Sequence, residues 1–130
     1  MSSIFTKIVK GEIPCYKIAE TENCLAFLDV MPLVEGHVLV IPKQEIDYIF
    51  DLDDALLSEL TLFAKKVSKA VKKSIDCRRI GVAVIGLEVP HAHIHLVPMQ
   101  SVGDINFSKS KLTISKEKLE EIAQKIRANI

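Results

Sequence analysis

Three of the four histidines of this 130-residue chain alternate with apolar residues in one short stretch, residues 91–97. In an extended strand, residues i, i+2 and i+4 point to the same face. The alternation therefore predicts a strand with His91, His93 and His95 on one face and apolar side chains on the other. The rest of the chain has to supply a core beneath that strand and to leave room above the histidines.

Four further stretches are typical of β-strands, because they combine β-branched and apolar residues and are bounded by turn residues. They lie at residues 15–21, 24–30, 37–42 and 79–87. The short polar link between the first two predicts a hairpin. Together with the histidine stretch, they predict a mainly antiparallel sheet of five strands.

One long helix is predicted between the third and fourth strands. From about Asp53 to Ser74, apolar residues recur at spacings of three and four, as on a helix that packs against a sheet. A short amphipathic helix is predicted near residues 4–8, before the first strand. The predicted fold class is therefore α+β, with the long helix after the third strand.

The C-terminal segment completes the predicted fold. Ser115 is expected to begin a last helix whose apolar face carries Leu119, Ile122, Ile126 and Ile130. We predict a single domain over residues 1–130, with this helix, at about 115–130, as an appendage or a dimer element.

Composition and charge exclude several classes of protein. The 17 basic and 17 acidic residues cancel, so no general attraction to nucleic acid or anionic lipid is expected. The sequence contains no run of about 18 apolar residues, the length needed to cross a membrane. Its N-terminus lacks the organisation of a signal peptide. The three cysteines form no C-x-x-C pair. We therefore expect a cytoplasmic protein with no membrane or nucleic-acid partner.

The row of histidines has three interpretations. A solvated strand face would explain one histidine better than it explains three on alternate positions. A metal site could use two of them, but the outer pair would lie about 13 Å apart, so one ion could not bind all three. The third interpretation is nucleophilic and acid–base chemistry, since imidazole titrates near neutral pH and can attack phosphorus.

The pattern at residues 91–97 matches the signature of the histidine triad (HIT) family, H-φ-H-φ-H-φ-φ, in which φ is apolar. The resemblance continues through residues 3–14, 24–43 and 49–52. It implies a HIT-like α+β fold that pairs into a homodimer by extending its sheet. It also implies a purine nucleotide substrate, hydrolysed at the α-phosphate through a nucleotidyl-histidine intermediate, with no cofactor.

The resemblance also implies catalytic roles for the four histidines. His93, the middle one, would be the nucleophile, and His95 would contact the phosphate and assist the leaving group. His91 would orient the row, and His37 matches a further family histidine beside the triad.

Other positions match the nucleotide-binding residues of the family. Asp29 would bind the ribose hydroxyls, although a turn-capping aspartate before Pro32 is a fair alternative. Gly86 and Glu88 match positions in the loop before the triad. An apolar pocket for the base would be formed by Ile4, Phe5, Ile8, Phe27, Val30 and Leu39.

The sequence departs from the family pattern at two places. Many relatives bind a structural zinc with two cysteines and a histidine, where this chain has Ser3, Thr6 and Glu45; hydroxyls are poor zinc ligands, so no metal is expected. Relatives also carry an asparagine and a glutamine before the triad. Here the loop is shorter, Leu87 stands in the glutamine position, and the asparagine has no clear counterpart.

Three functions are therefore open from the sequence. The first is hydrolysis of an AMP-type phosphoramidate or a related adduct, and a dinucleoside polyphosphate hydrolase is its nearest variant. A nucleotide-binding or regulatory module with little catalysis is suggested by the altered loop. A metal enzyme that uses the H-x-H pair would be inhibited by a chelator.

Overall fold

The computed structural model describes residues 2–130. Its helices are α1 (Ile4–Val9), α2 (Asp54–Ser74) and α3 (Lys116–Arg127), and its strands are β1 (Lys17–Glu20), β2 (Cys24–Leu28), β3 (Val38–Pro42), β4 (Arg79–Ala83) and β5 (Ile94–Met99). Two short 3-10 helices lie at Ile49–Asp51 and Val102–Asp104.

The five strands form one sheet in the order β1-β2-β3-β5-β4, and every neighbouring pair is antiparallel. β1 and β2 form the predicted hairpin. β5 lies between β3 and β4, so backbone hydrogen bonds hold it on both sides. The α+β prediction, with a mainly antiparallel five-stranded sheet and a long helix after the third strand, is confirmed.

The main core lies between one face of the sheet and the helices α2 and α3. Alternate strand residues enter this core, and the stripe of α2 meets them with Leu60, Phe63, Val67 and Val71. The helix begins where the sequence indicates, because the Asp53 carboxylate accepts a hydrogen bond from the Leu56 amide at 2.7 Å.

A second, smaller cluster covers the opposite face of the sheet. It consists of Phe5 from α1 with strand residues Leu25, Phe27, Leu39 and Ile41. Because neighbouring strand residues point to opposite faces, β2 and β3 are buried on both sides. This second face is the one on which the histidines lie.

The C-terminal helix packs into the main core and is not the appendage that its sequence predicts. The side chain of Ser115 caps α3 as predicted, but Leu119, Ile122 and Ile126 are buried in the main core. Ile130 lies beyond the end of the helix and is exposed. The apolar face of α3 is thus buried against its own sheet and α2.

Two strand boundaries differ from the sequence-based prediction by three or four residues. β4 ends at Ala83, before a loop in which Gly86 adopts a φ of 73°. β5 begins only at Ile94, so His95 alone of the triad lies within a strand. The reason is that the preceding backbone amides donate hydrogen bonds to carbonyl oxygens in loops, the His91 amide to Val89 and the Ala92 amide to Ile46.

Among the helices of residues 2–130, none is long and apolar enough to cross a bilayer.

Candidate active site

The four histidines converge on the sheet face that carries the smaller cluster. His95 on β5 is the cross-strand partner of Leu39 on β3, and the rings of His93 and His95 have centroids 4.9 Å apart. His37, immediately before β3, lies beside His95, with centroids 5.2 Å apart. The structure therefore brings all four predicted histidines into one site.

The triad histidines are far more buried than a solvated strand face would allow. His91 is 0% exposed, His93 6% and His95 8%, and His37 is 1% exposed. Every fully buried side-chain nitrogen or oxygen in residues 2–130 has a hydrogen-bond partner. Because partners are fixed, the protonation of each ring can be assigned from what its partner can donate or accept.

The proton of His93 is held on Nδ1. This nitrogen lies 2.7 Å from the backbone carbonyl oxygen of His91, which can only accept a hydrogen bond. The neutral ring therefore carries its lone pair on Nε2. Nε2 takes part in no hydrogen bond within residues 2–130, so it is open to solvent and free to attack an electrophile.

His91 is oriented by contacts on both sides of its ring. Its Nε2 donates a hydrogen bond to the Pro42 carbonyl oxygen at 2.8 Å. Nδ1 is therefore the acceptor, and it accepts a hydrogen bond from the Ser3 hydroxyl group at 2.8 Å. The Phe5 ring makes T-shaped contacts with both His91 and His93, with centroids 5.8 and 5.0 Å away. The backbone carbonyl that holds His93 is therefore part of a fixed residue.

His37 and His95 form a relay with a defined direction. The Leu33 amide donates to His37 Nδ1 at 3.1 Å, which places the His37 proton on Nε2. That Nε2–H then donates to His95 Nδ1 at 3.0 Å. The remaining proton of His95 is on Nε2, so this side chain can act as a hydrogen-bond donor toward a ligand.

Burial keeps these rings neutral. It is the main cause that lowers the pKa of His37 to about 3, with smaller contributions from His95 and Lys111. Burial, then His93 and Lys111, lower the pKa of His95 to about 4. Burial also lowers the pKa of His91, against the opposing hydrogen bond to Pro42. At neutral pH these three rings are uncharged donors and acceptors.

Asp29 lies both in the turn before Pro32 and beside the histidines, and its ribose-binding role stays a prediction. Its Oδ1 accepts from the Met31 amide at 2.9 Å and thus caps the turn before Pro32. Its Oδ2 lies 3.7 Å from His37 Nε2, and the side chain is 20% exposed. Burial raises the pKa of this carboxyl group. One oxygen therefore serves the turn, and the other faces the histidines.

The six predicted pocket residues divide into buried and exposed members. Phe5, Phe27 and Leu39 are buried together, and Ile8 packs on them. Ile4 and Val30 are 50% and 53% exposed. The buried members thus form an apolar floor beside His93, on which a planar ligand could lie.

The loop before the triad is open to solvent. Gly86 is partly buried, whereas Leu87 is 89% exposed and Glu88 is exposed. Glu88 is near enough for its charge to oppose that of Asp29. At Leu87 the loop therefore presents an apolar side chain to water.

The positions that correspond to zinc ligands in relatives form a hydrogen-bonded cluster instead. Glu45 Oε1 accepts from both the Ser3 amide and the Thr6 hydroxyl at 2.6 Å. These two donors lower the pKa of Glu45 to about 2. The Ser3 hydroxyl serves His91 Nδ1, as described. Because hydroxyls are poor zinc ligands and the imidazole lone pair is already bonded, the set does not fit a structural zinc.

A second group with metal-ligand atoms lies within the site. Ligand atoms of Asp29, His37 and His95 are within 4.8 Å of one another. However, His37 Nδ1 accepts from the Leu33 amide. A metal at His37 Nε2 would require the proton to move to Nδ1, where it would oppose that amide. The donor chemistry therefore favours the histidine relay over an ion.

Two side chains that the sequence analysis did not predict border the site. The Phe107 ring packs against His95 and His37, with centroids 4.7 and 6.3 Å away. The ammonium nitrogen of Lys111 lies 5.5 Å from the centre of the Phe107 ring. Both residues belong to an irregular segment after β5, where no periodic pattern marks a side chain as functional. The only sequence signal is an isolated aromatic residue among polar neighbours.

Comparison with known proteins gives a consistent result. A family model described as the HIT domain matches residues 10–102. The adenosine 5'-monophosphoramidase of Schizosaccharomyces pombe is 35% identical, over 100% of this chain and 99% of that protein. An uncharacterized HIT-like protein of Borreliella burgdorferi is also 35% identical, over 98% and 97% of the two chains.

Among solved structures, a Hit-like protein of Bartonella henselae superposes with a TM-score of 0.88. It is 33% identical, and the match covers 99% of this chain and 96% of that one. The family match includes His37 and the whole triad, and the alignments with these relatives cover almost the whole chain. The chain belongs to the HIT family.

Proposed function

We propose that this protein is a purine nucleotide hydrolase that cleaves at the α-phosphate, with an AMP phosphoramidate as its representative substrate. The observation that carries the proposal is the bond from His93 Nδ1–H to the His91 carbonyl at 2.7 Å. It leaves Nε2 as a nucleophile and provides an acceptor for the positive charge that develops on the ring during attack. The similarity to an adenosine 5'-monophosphoramidase supports the choice of substrate.

The proposed reaction has two steps. First, Nε2 of His93 attacks phosphorus, the P–N bond to the leaving amine breaks, and the amine nitrogen takes up a proton from solvent. Water then attacks the phosphorus of the nucleotidyl-histidine, the P–Nε2 bond breaks, and AMP leaves while the proton lost by the attacking water returns to solvent. His95 Nε2–H is the donor directed to the phosphate oxygens or the leaving group, because His37 occupies its other nitrogen.

The remaining site residues supply binding in this proposal. Asp29 Oδ2 accepts from the ribose hydroxyls, since its Oδ1 is already engaged with the Met31 amide. The base lies on the floor of Phe5, Phe27 and Leu39. Gly86 and Glu88 border the phosphate from the loop before the triad. No metal takes part in this scheme.

The test measures release of AMP from adenosine phosphoramidate, with a chelator present, by the wild-type protein and by His93→Ala. We expect turnover by the wild type and a loss of at least about 1000-fold in the variant, as for removal of other enzymic nucleophiles. AMP binding should survive in His93→Ala. A variant that keeps wild-type turnover would exclude His93 as the nucleophile. Activity that the chelator abolishes would indicate a metal enzyme instead.

A second function is favoured by the exposed Leu87, which replaces an amide donor of the family. If that loss prevents catalysis, the protein is a nucleotide-binding module. It would then bind AMP without turning over either the phosphoramidate or a dinucleoside polyphosphate. Leu87→Gln is the informative variant, because restoring an amide should then raise turnover while leaving AMP affinity within a few-fold.

A further inference from the structure

The loop before the triad, residues 84–90, contains no cationic side chain and no amide side chain. Leu87 is exposed there, and Glu88 is the only charged residue of the loop. His95 Nε2–H is one donor, and it is uncharged because the pKa of His95 is lowered to about 4. A phosphate with developing charge needs a further positive partner for strong stabilisation.

The segment after β5 brings a cation to the opposite side of the same histidines. Its path is fixed by the Phe107 ring, which packs on His95 and His37. It is fixed again by the Leu112 amide, which donates to the Pro32 carbonyl at 2.8 Å. Lys111 lies between these two anchors, so its backbone is held at the edge of the site.

The ammonium group of Lys111 has capacity left for a ligand. It donates to the Phe107 carbonyl at 3.0 Å, and it takes part in no ion pair among residues 2–130. An ammonium group has three donors, so two remain. Its charge adds to the lowering of the pKa values of His37 and His95 and opposes the burial that raises the pKa of Asp29, which places it on the side of the site that holds these three residues.

We propose that Lys111 is a phosphate-binding residue of this site, held against the triad by Phe107, and that it replaces the donors missing from the loop before His91. Its ammonium group and His95 Nε2–H bind non-bridging oxygens of the α-phosphate from the same side. The proposal rests on the nucleotide substrate proposed above. Lys111 lies outside the segment that matches the HIT family model.

The test compares binding of AMP and of adenosine, which lacks the phosphate, by calorimetric titration. Lys111→Met removes the charge and keeps an unbranched side chain, Lys111→Arg keeps the charge, and Lys109→Met removes an exposed lysine from the same segment. We expect Lys111→Met to weaken AMP binding by about 10- to 100-fold and to leave adenosine binding unchanged. Lys111→Arg should recover most of the affinity, and Lys109→Met should match the wild type.

Three results would overturn the proposal: unchanged AMP affinity in Lys111→Met, an equal loss of AMP and adenosine affinity, or a wild type that binds the two ligands equally. Thermal unfolding of each variant shows whether the fold is intact. The hydrolysis assay is separate. A wild type without turnover whose AMP affinity still falls selectively in Lys111→Met would contradict the proposed hydrolysis and support Lys111 as the phosphate ligand.

Discussion

At the scale of single residues, backbone groups decide the chemistry of the site. A carbonyl oxygen can only accept a hydrogen bond and an amide can only donate one, so the Pro42 and His91 carbonyls and the Leu33 amide each fix the tautomer of one ring. The reactive nitrogen of His93 is thus chosen by the fold. A sequence pattern can indicate which histidines face each other, but it cannot indicate which nitrogen carries the proton.

The buried histidines predict a loss of stability in mild acid. In the unfolded chain they take up protons below about pH 6.5, whereas folded His37 and His95 remain neutral until about pH 3 and 4. The unfolded state therefore binds more protons as the pH falls below about 6.5. We expect each ring to lower the free energy of unfolding by up to about 1.4 kcal/mol per pH unit over that range.

Urea unfolding of the wild type and of His37→Gln, at about pH 7, 6 and 5, measures this effect. The variant has one buried imidazole fewer, so its free energy of unfolding should fall less steeply with acid, whatever its stability at neutral pH. If the free energy of unfolding falls equally steeply with pH in the two proteins, His37 does not remain neutral in the folded state.

At the scale of elements, periodicity predicted which segments form strands and helices, but tertiary contacts set where they end. The helices α2 and α3 begin beside their caps Asp53 and Ser115, where the sequence predicted their starts. The strand that carries the triad starts three residues later than its alternation suggested, because the amides of His91 and Ala92 find partners in loops. The placement of Phe107 on His95 has no local signal, since that contact depends on how an irregular segment returns to the sheet.

The burial of α3 gives a prediction about stability. Ile126 is 0% exposed in the main core, so Ile126→Ala should lower the free energy of unfolding by about 2–4 kcal/mol through lost contacts and a cavity. Gln124→Ala, on the exposed side of the same helix, should change it by no more than about 0.5 kcal/mol. Denaturant unfolding measures both. If the two variants are equally stable, the helix does not contribute to the core.

At the scale of the whole molecule, the sheet has two edges, β1 and β4, that differ in what covers them. The β4 edge and the loop after it carry exposed apolar residues, with Val82 63% exposed. The HIT family resemblance implies a homodimer that extends the sheet, and an uncovered apolar edge strand is the element suited to that pairing. We therefore expect dimerisation through β4.

Light scattering of the purified protein should give about twice the 14.5 kDa mass of one chain. Val82→Lys places a charge on the pairing edge and should shift the mass to that of a monomer. Leu62→Lys changes a side chain of similar exposure, 66%, on α2, and should leave the dimer intact. A monomeric wild type, or a dimer that persists in Val82→Lys, would exclude pairing through β4.

The other edge strand of the sheet, β1, is partly covered by side chains. Arg127, in the last turn of α3, donates to the Lys17 carbonyl at 2.6 Å, and Glu20 on β1 binds both Lys17 and Lys43. A strand covered in this way is a poor template for another chain. Each molecule would then have one sheet edge, β4, available for pairing. Assembly would therefore stop at two copies instead of continuing into a filament.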